Sequence, residues 1–302
     1  MSTNDLTVVK AQLHVPEGCR YSPNNNYKGS KQTYNSFETA FDSALFERGY
    51  NLYKRNYPDP DEREPKRKLV AIARGQLDTD EGMSNFYLGI KPEKGSLLEG
   101  KVVGYNIFDV VTMGAEKEGA IGMDWYLGVD PKMRTNGYGS KILRSTVGQM
   151  KNIATRRGRQ LLAVHAELDD PERMDAEFYK ASASIMDPKE RIKFWAGQGS
   201  MEVIAGNRRD WYMQPRLNKD SEPVDYLIFT MLPLDKRLAQ EKEISAEKFL
   251  KQFLRKHVYY GFEATPGSDL DGQRNPETDA SYVEMARKIR EAGKVNLVPL
   301  ER

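Results

Sequence analysis

Apolar positions along the chain fall into two spacings. Period two, or a continuous short run, predicts strands; recurrence at three and four predicts helices. "LTVVKAQLHV" (6–15) reads as a short strand, and the Asn-rich "YSPNNNYKGSKQ" after it as a loop. "NSFETAFDSALFERGYNLYKRNY" is helical in pattern. Asn35 or Ser36 is placed to cap it, Glu38 sits close behind, and Phe46, Tyr50, Tyr53 and Tyr57 recur on one face. "PDPDEREP" ends it, because proline cannot extend the hydrogen-bond ladder. "KLVAIARGQL", "SNFYLGI" and "KVVGYNIFDVV" then read as strands of an antiparallel meander, with "AIGMDWYLGVD" as its fourth.

"GYGSKILRSTVGQMKNIATRRG" predicts a long amphipathic helix with Leu143, Val147, Met150 and Ala154 as its stripe and Gly158 as its stop. "RQLLAVHAEL" is a strand, and "DPKERIKFWAGQG" a helix with Asp187 and Pro188 at cap and first turn. "MEVIAG" and "VDYLIFTML" are strands on either side of the loop "YMQPRLNKDSEP". One more amphipathic helix, "SAEKFLKQFLRKHVYYGF", precedes the polar, loose-looking "EATPGSDLDGQRNPETDA" and a short helix at "SYVEMARKIREAG". No internal repeat is visible. The order predicts a mixed α/β or α+β domain with helices on the faces of its sheet, and one parallel crossover over residues 120–168.

Composition narrows the class. Of 302 residues, 39% are hydrophobic and 30% charged, yet the net charge is only +2. That balance gives no general pull towards nucleic acid or an anionic membrane, and the basic runs "EPKRKLV" and "TRRGRQ" read as solvated helix ends or loops. Cys19 is the sole cysteine, so no disulfide framework or thiolate cage is expected. His14, His165 and His257 lack the paired spacing of zinc ligands and read as ordinary surface or packed histidines; no metal is expected. The N-terminus lacks the basic and apolar regions of a signal peptide, and no run is long enough to cross a bilayer, so a cytoplasmic setting is expected.

The chemistry is concentrated in "YLGVDPKMRTNGYGSKILRS". Gly137 and Gly139 stand where a helix should start, although glycine weakens helices. A helix start bears unpaired N–H groups and the positive end of the dipole, and glycine removes the side chains that would keep an anion off them. A P-loop needs Gly-Lys-Ser/Thr at its end, which "GYGSKIL" lacks; a dinucleotide fingerprint needs a third glycine where Ile142 stands. Arg134-Thr-Asn-Gly137-Tyr-Gly139 instead matches the (Arg/Gln)-x-x-Gly-x-(Gly/Ala) loop that cradles coenzyme A. With the helix after it, and with "RIKFWAGQGSMEV" further on, the chain resembles the GNAT superfamily of acyl-CoA N-acyltransferases.

That resemblance implies a GNAT-like central mixed, mostly antiparallel sheet flanked by helices, over residues 1–235, with a C-terminal helical extension and polar tail over 236–302. It implies an N-acetyltransferase that moves an acetyl group from acetyl-CoA to a primary amine of a small molecule or protein, by direct attack. It implies that Arg134, Thr135, Asn136, Gly137, Tyr138, Gly139 and Ser140 hold the pyrophosphate. Leu127, Gly128 and Val129 would pair with the pantetheine arm, and the Val129 N–H is a candidate oxyanion donor. Trp195 is a further expected cofactor contact.

An amine of ordinary pKa about 10.4 must lose a proton before attack. Asp124 and Glu167 are the candidate bases, being acids within or at the end of strands beside the expected site. Alternation places Asp124 on the opposite face from Val129 unless a bulge intervenes. Many superfamily members carry a tyrosine that protonates the leaving thiolate; here Phe194-Trp195 stands in that place, and Tyr179 is a possible substitute. Tyr212 and Gln214, before the proline-broken loop, are candidate acceptor contacts. The stripe from Phe46 to Tyr57 could line the acceptor pocket or simply pack on the sheet. Two readings stay open at this level: an enzyme, or a domain that binds acyl-CoA without turning it over. The C-terminal extension is open to docking, to pairing with a second copy as a homodimer, or to holding a partner.

Overall fold

The protein is described by a computed structural model over residues 6–11, 43–58, 63–93, 96–112, 114, 119–215, 222–261 and 279–300. His14, Cys19, the candidate caps Asn35 and Ser36, Glu38 and nearly all of the polar tail lie outside the described residues. In chain order the elements begin with β1 (Thr7–Lys10), α1 (Ser43–Asn56), α2 (Lys66–Ala73), β2 (Gly82–Glu93), β3 (Ser96–Val111) and β4 (Ala120–Val129). They continue with α3 (Tyr138–Arg156), β5 (Leu161–Asp169), α4 (Ala176–Ile185), α5 (Pro188–Gly197), β6 (Met201–Ala205) and β7 (Leu227–Pro233). The C-terminal segment adds α6 (Lys236–Glu241), β8 (Glu243–Ser245), α7 (Ala246–Phe249), α8 (Arg255–Gly261), α9 (Ala280–Ala292) and β9 (Lys294–Pro299). Nine strands form one mixed, mostly antiparallel sheet in the order β1-β2-β3-β4-β5-β7-β6-β9-β8. This is the fold class that the resemblance implied.

One element differs from its sequence reading. "KLVAIARGQL" is not a strand; its core is helix α2. Leu69, Ile72 and Ala73 are buried at helical spacing after Pro65, which occupies the cap. A short continuous apolar run satisfies either periodicity, and packing chose the helix. The helix expected over "SAEKFLKQFLRKHVYYGF" is present as α7, a π-helical turn at Leu250–Leu254, and α8. The C-terminal segment is helical as expected, and it also supplies β8 and β9, which the pattern did not mark.

By compactness the chain divides into two units, one of residues 1–78, 84–107 and 126–146, the other of residues 79–83, 108–125 and 147–302. Among its described residues, the first has a core in which Phe46, Leu52 and Tyr53 of α1 and Leu69 and Ile72 of α2 meet Phe86, Leu88 and Tyr105 of β2 and β3. Each such side chain stabilises by about 1.5–3 kcal/mol on burial. Ile142 of α3 fits against Gly104, where an added Cβ would come within 2.5 Å of its Cδ1.

The second unit contains the parallel ladder, from Ala120 opposite Leu161 to Asp124 opposite Ala166. β5 pairs antiparallel with β7, β6 with β7 and β9, and β9 with β8. Its core joins Met123, Trp211, Phe229 and Met231 to Phe249, Phe253, Met285 and Ile289 of the C-terminal helices. No helix among the described residues is long and apolar enough to cross a membrane.

Candidate functional site

In the first unit, β4 ends at Val129 and a single 3-10 turn, Pro131–Met133, leads to α3. Asp130 fixes this corner. Its N–H donates to the Val103 carbonyl at 2.9 Å, its Oδ1 accepts from the Lys132 N–H at 3.0 Å, and Arg55 and Lys101 lie 3.8 and 3.7 Å from its Oδ2. The chain then takes positive φ twice, 65° at Thr135 and 72° at Gly137. For β-branched Thr135 this costs about 1–3 kcal/mol and needs support from its surroundings. Thr135 Oγ1 donates to the Arg134 carbonyl at 2.6 Å, and Asn136 Nδ2 donates to the carbonyls of Met133 and Arg134 at 3.1 and 3.0 Å.

This turn is open. Thr135, Asn136 and Gly137 are exposed, and a Cβ added at Gly137 would meet nothing within 4 Å. The Lys141 N–H bonds to the Gly137 carbonyl at 3.2 Å, so the helical ladder starts there. A helix of nineteen residues, Tyr138–Arg156, places its positive end at the same turn. Positive φ, a favourable dipole and open space beside Gly137 thus coincide at one helix start, the kind of place where anions bind.

The inner side of the loop is tied to α1. Arg134 Nη2 reaches Asn56 Oδ1 at 3.5 Å, and Asn56 Nδ2 donates to Tyr105 Oη at 3.2 Å. Gly128 lies against the same pair: an added Cβ would come 2.3 Å from Tyr105 Oη and 2.5 Å from Asn56 Nδ2. Its lack of a side chain is therefore required by packing, whatever else its backbone does. The aromatic stripe of α1 also packs. Phe46 meets Phe86 edge-on at 5.9 Å, and Tyr53 meets Tyr105 and Tyr126 at 5.6 and 5.1 Å. Burial pushes the Tyr53 and Tyr105 phenols well above their ordinary pKa, so both are neutral donors.

The second unit gathers a different set around Glu167, at the C-terminal end of β5. The Glu167 carboxylate accepts from the Tyr212 hydroxyl, from Gln214 Nε2 at 2.5 Å and from His257 Nε2 at 3.0 Å. His257 Nε2 is also 3.1 Å from Tyr212 Oη. Tyr212 is 1% exposed, and burial, then the Glu167 charge, push its phenol well above its ordinary pKa. The His257 ring packs between Trp125, at 5.4 Å, and Phe229, edge-on at 4.9 Å. Trp125 is itself held by Nε1 donating to Asp109 Oδ2 at 2.6 Å. A carboxylate in such surroundings is expensive unless its oxygens are satisfied. Three donors satisfy this one and fix its orientation.

The structure thus brings together three residues singled out separately in the sequence, Glu167, Tyr212 and Gln214. It does not bring Asp124 to them. Trp125 faces His257, while Gly122 faces Met150 of α3, its added Cβ falling 2.6 Å from the sulfur. Alternation therefore puts Asp124, 5% exposed, on the α3 face, opposite the face carrying Glu167. Trp195 is 6% exposed in α5, its ring 5.9 Å from that of Phe194. Tyr179 Oη is 3.4 and 3.5 Å from the carboxylate oxygens of Asp187, the cap of α5. His257, Trp125 and Asp109 were missed as site residues. A histidine beside a lysine in an amphipathic helix signals nothing until its partner, ninety positions away, is known.

Scans of protein-family models and of curated proteins find no match to this chain. Solved structures do resemble it. The structural neighbours are GNAT-family acetyltransferases. A protein of Bacteroides thetaiotaomicron described as a GNAT-family acetyltransferase shares 13% identity, covering 74% of this chain and 94% of its own, at a TM-score of 0.45. The ribosomal-protein-S18-alanine N-acetyltransferase of Escherichia coli shares 12%, covering 65% and 92%, at 0.37. Arabidopsis thaliana NAA60, solved in complex with acetyl-CoA, shares 9%, covering 62% and 94%, at 0.38. Likeness of this degree leaves the chemistry to be argued from the chain's own residues.

Proposed function

We propose that the protein is an acyl-CoA N-acyltransferase that acetylates an amine. The observation that carries this reading is the open turn Arg134–Ser140, with positive φ at Thr135 and Gly137 and unhindered space beside Gly137. The N–H groups of this turn and the start of α3 hold the diphosphate of acetyl-CoA, with Leu127, Gly128 and Val129 offering backbone to its pantetheine arm. Acetyl-CoA, when bound, supplies a thioester: the acceptor nitrogen bonds to its carbonyl carbon, the carbon–sulfur bond breaks, and the thiolate leaves and takes up the second proton that the nitrogen sheds on becoming an amide. Glu167 takes one proton from the acceptor ammonium, directly or through water, and leaves the nitrogen lone pair free to attack. The Val129 N–H donates to the carbonyl oxygen as negative charge develops on it. Tyr212 and Gln214, the expected acceptor contacts, also hold Glu167.

A binding-only domain is the second reading, favoured by two observations. Phe194-Trp195 provides no phenol to protonate the thiolate, and the Tyr179 phenol lies against Asp187. Calorimetric titration with acetyl-CoA and a thiol-release assay over an amine panel separate the two. Gly137→Asn is the informative variant, because asparagine tolerates positive φ yet places a side chain on the turn. It is expected to melt as the wild type does and to bind acetyl-CoA at least about tenfold more weakly, a loss of roughly 1.4 kcal/mol. Unchanged affinity in that variant would sink the proposal. Binding without thiol release across the panel would favour the second reading.

A further inference from the structure

We infer that His257, supplied by α8 of the C-terminal segment, is a positioning residue for Glu167; this rests on the acyltransferase reading above. Sequence and resemblance point to Glu167, but nothing in them points to a residue beyond position 235 as part of the chemistry. The geometry does. His257 Nε2 lies 3.0 Å from Glu167 Oε1 and 3.1 Å from Tyr212 Oη, and its side chain is 2% exposed against 10% for that of Glu167. The histidine is thus sealed inside, while the carboxylate keeps an edge open.

The rest of the surroundings hold the ring rather than use it. Trp125 and Phe229 bracket it, and the His165 ring lies 5.8 Å away. Next to it in α8, Lys256 turns to the Gly119 carbonyl at 2.8 Å. A phenol has one hydrogen, and Tyr212 gives it to Glu167; the hydrogen between His257 and the carboxylate must then sit on Nε2. With Gln214 donating as well, the carboxylate is gripped by three donors from two segments: the chain after β6 provides two and α8 one. Such a grip fixes which lone pairs face outwards, and a base that takes a proton from a bound amine needs that direction held.

The test uses the full chain and three variants, His257→Gln, His257→Leu and Glu167→Gln, with acetyl-CoA and the responsive amine as probes. His257→Gln keeps an N–H donor near the Nε2 position; His257→Leu keeps the bulk and loses the donor. The expected result is unchanged acetyl-CoA affinity in all three. The acceptor kcat should fall about tenfold or more in His257→Leu without a matching rise in KM, and His257→Gln should restore most of it. Glu167→Gln should fall furthest. If His257→Leu turns over like wild type while Glu167→Gln does not, or if the glutamine and leucine variants lose equal activity with equal losses of melting temperature, the positioning role is overturned and the acyltransferase reading stands. If wild type neither binds acetyl-CoA nor releases thiol with any amine, the acyltransferase reading falls and this inference with it.

Discussion

At position 165 a histidine sits inside an apolar shell made by Phe229, at 4.9 Å, and Phe253, at 5.8 Å. Neither ring nitrogen has a hydrogen-bond partner among the described residues. Burial first, and then the neighbouring His257 and Lys256, push its pKa well below the usual 6.5, so the folded ring is neutral. The unfolded chain takes up a proton near 6.5 and the folded chain does not. Stability is therefore retained above that value and lost as pH falls below it, by up to about 1.4 kcal/mol per pH unit. His165→Phe removes this titration. Urea unfolding between pH 7 and pH 5 should show a shallower loss in the variant than in the wild type; equal slopes would mean the buried ring does accept the proton. The same scale explains why Glu167 was legible and His257 was not. An acid at a strand end is unusual on its own terms, whereas a histidine in a polar helix is unremarkable until its partner is seen.

At the scale of elements, caps repeat a single device. Asp235 accepts from the N–H groups of Arg237 and Leu238 at 3.0 Å each, and Gln160 Nε2 donates to its other oxygen at 2.8 Å. The Leu238 N–H, then Gln160, hold its carboxyl below the ordinary 3.8. A depressed carboxylate stabilises above its unfolded pKa and ceases to as pH falls through the folded value. Asp235→Ala should lower stability by about 1 kcal/mol at pH 7, and the gap from wild type should close as pH falls below 3.8. Chemical denaturation at both ends of that range checks it; a gap independent of pH would point to lost packing instead. Caps of this kind are local, and Asp187 before Pro188 was readable from sequence for that reason. α2 was not. Over so few residues an apolar run carries no decisive period, and the burial of Leu69 and Ile72 beneath α1 and the sheet decided it.

At the scale of the molecule, the C-terminal segment is built into the second unit. β9 pairs with β6 on one side and β8 on the other, and Met285, Ala286 and Ile289 of α9 are core residues. Ending the chain at Asp279 removes α9 and β9, exposes two strand edges and strips that core of side chains worth several kcal/mol in all. The truncated chain is expected to aggregate or to lose its cooperative thermal transition. A cooperative melt within a few degrees of the intact protein would show the segment to be dispensable for folding.

Left to itself, the sequence determined the parts whose physics is short-ranged. Gly137 permits a positive φ and α3 begins where the turn ends, so the open turn before α3 was written in a few consecutive residues. Tertiary structure alone decided which distant groups meet. It set Glu167 among Tyr212, Gln214 and His257, turned Asp124 to the other face of the sheet, and made strands of β8 and β9. Those outcomes depend on register and on packing between segments far apart in the chain, and no local pattern encodes either.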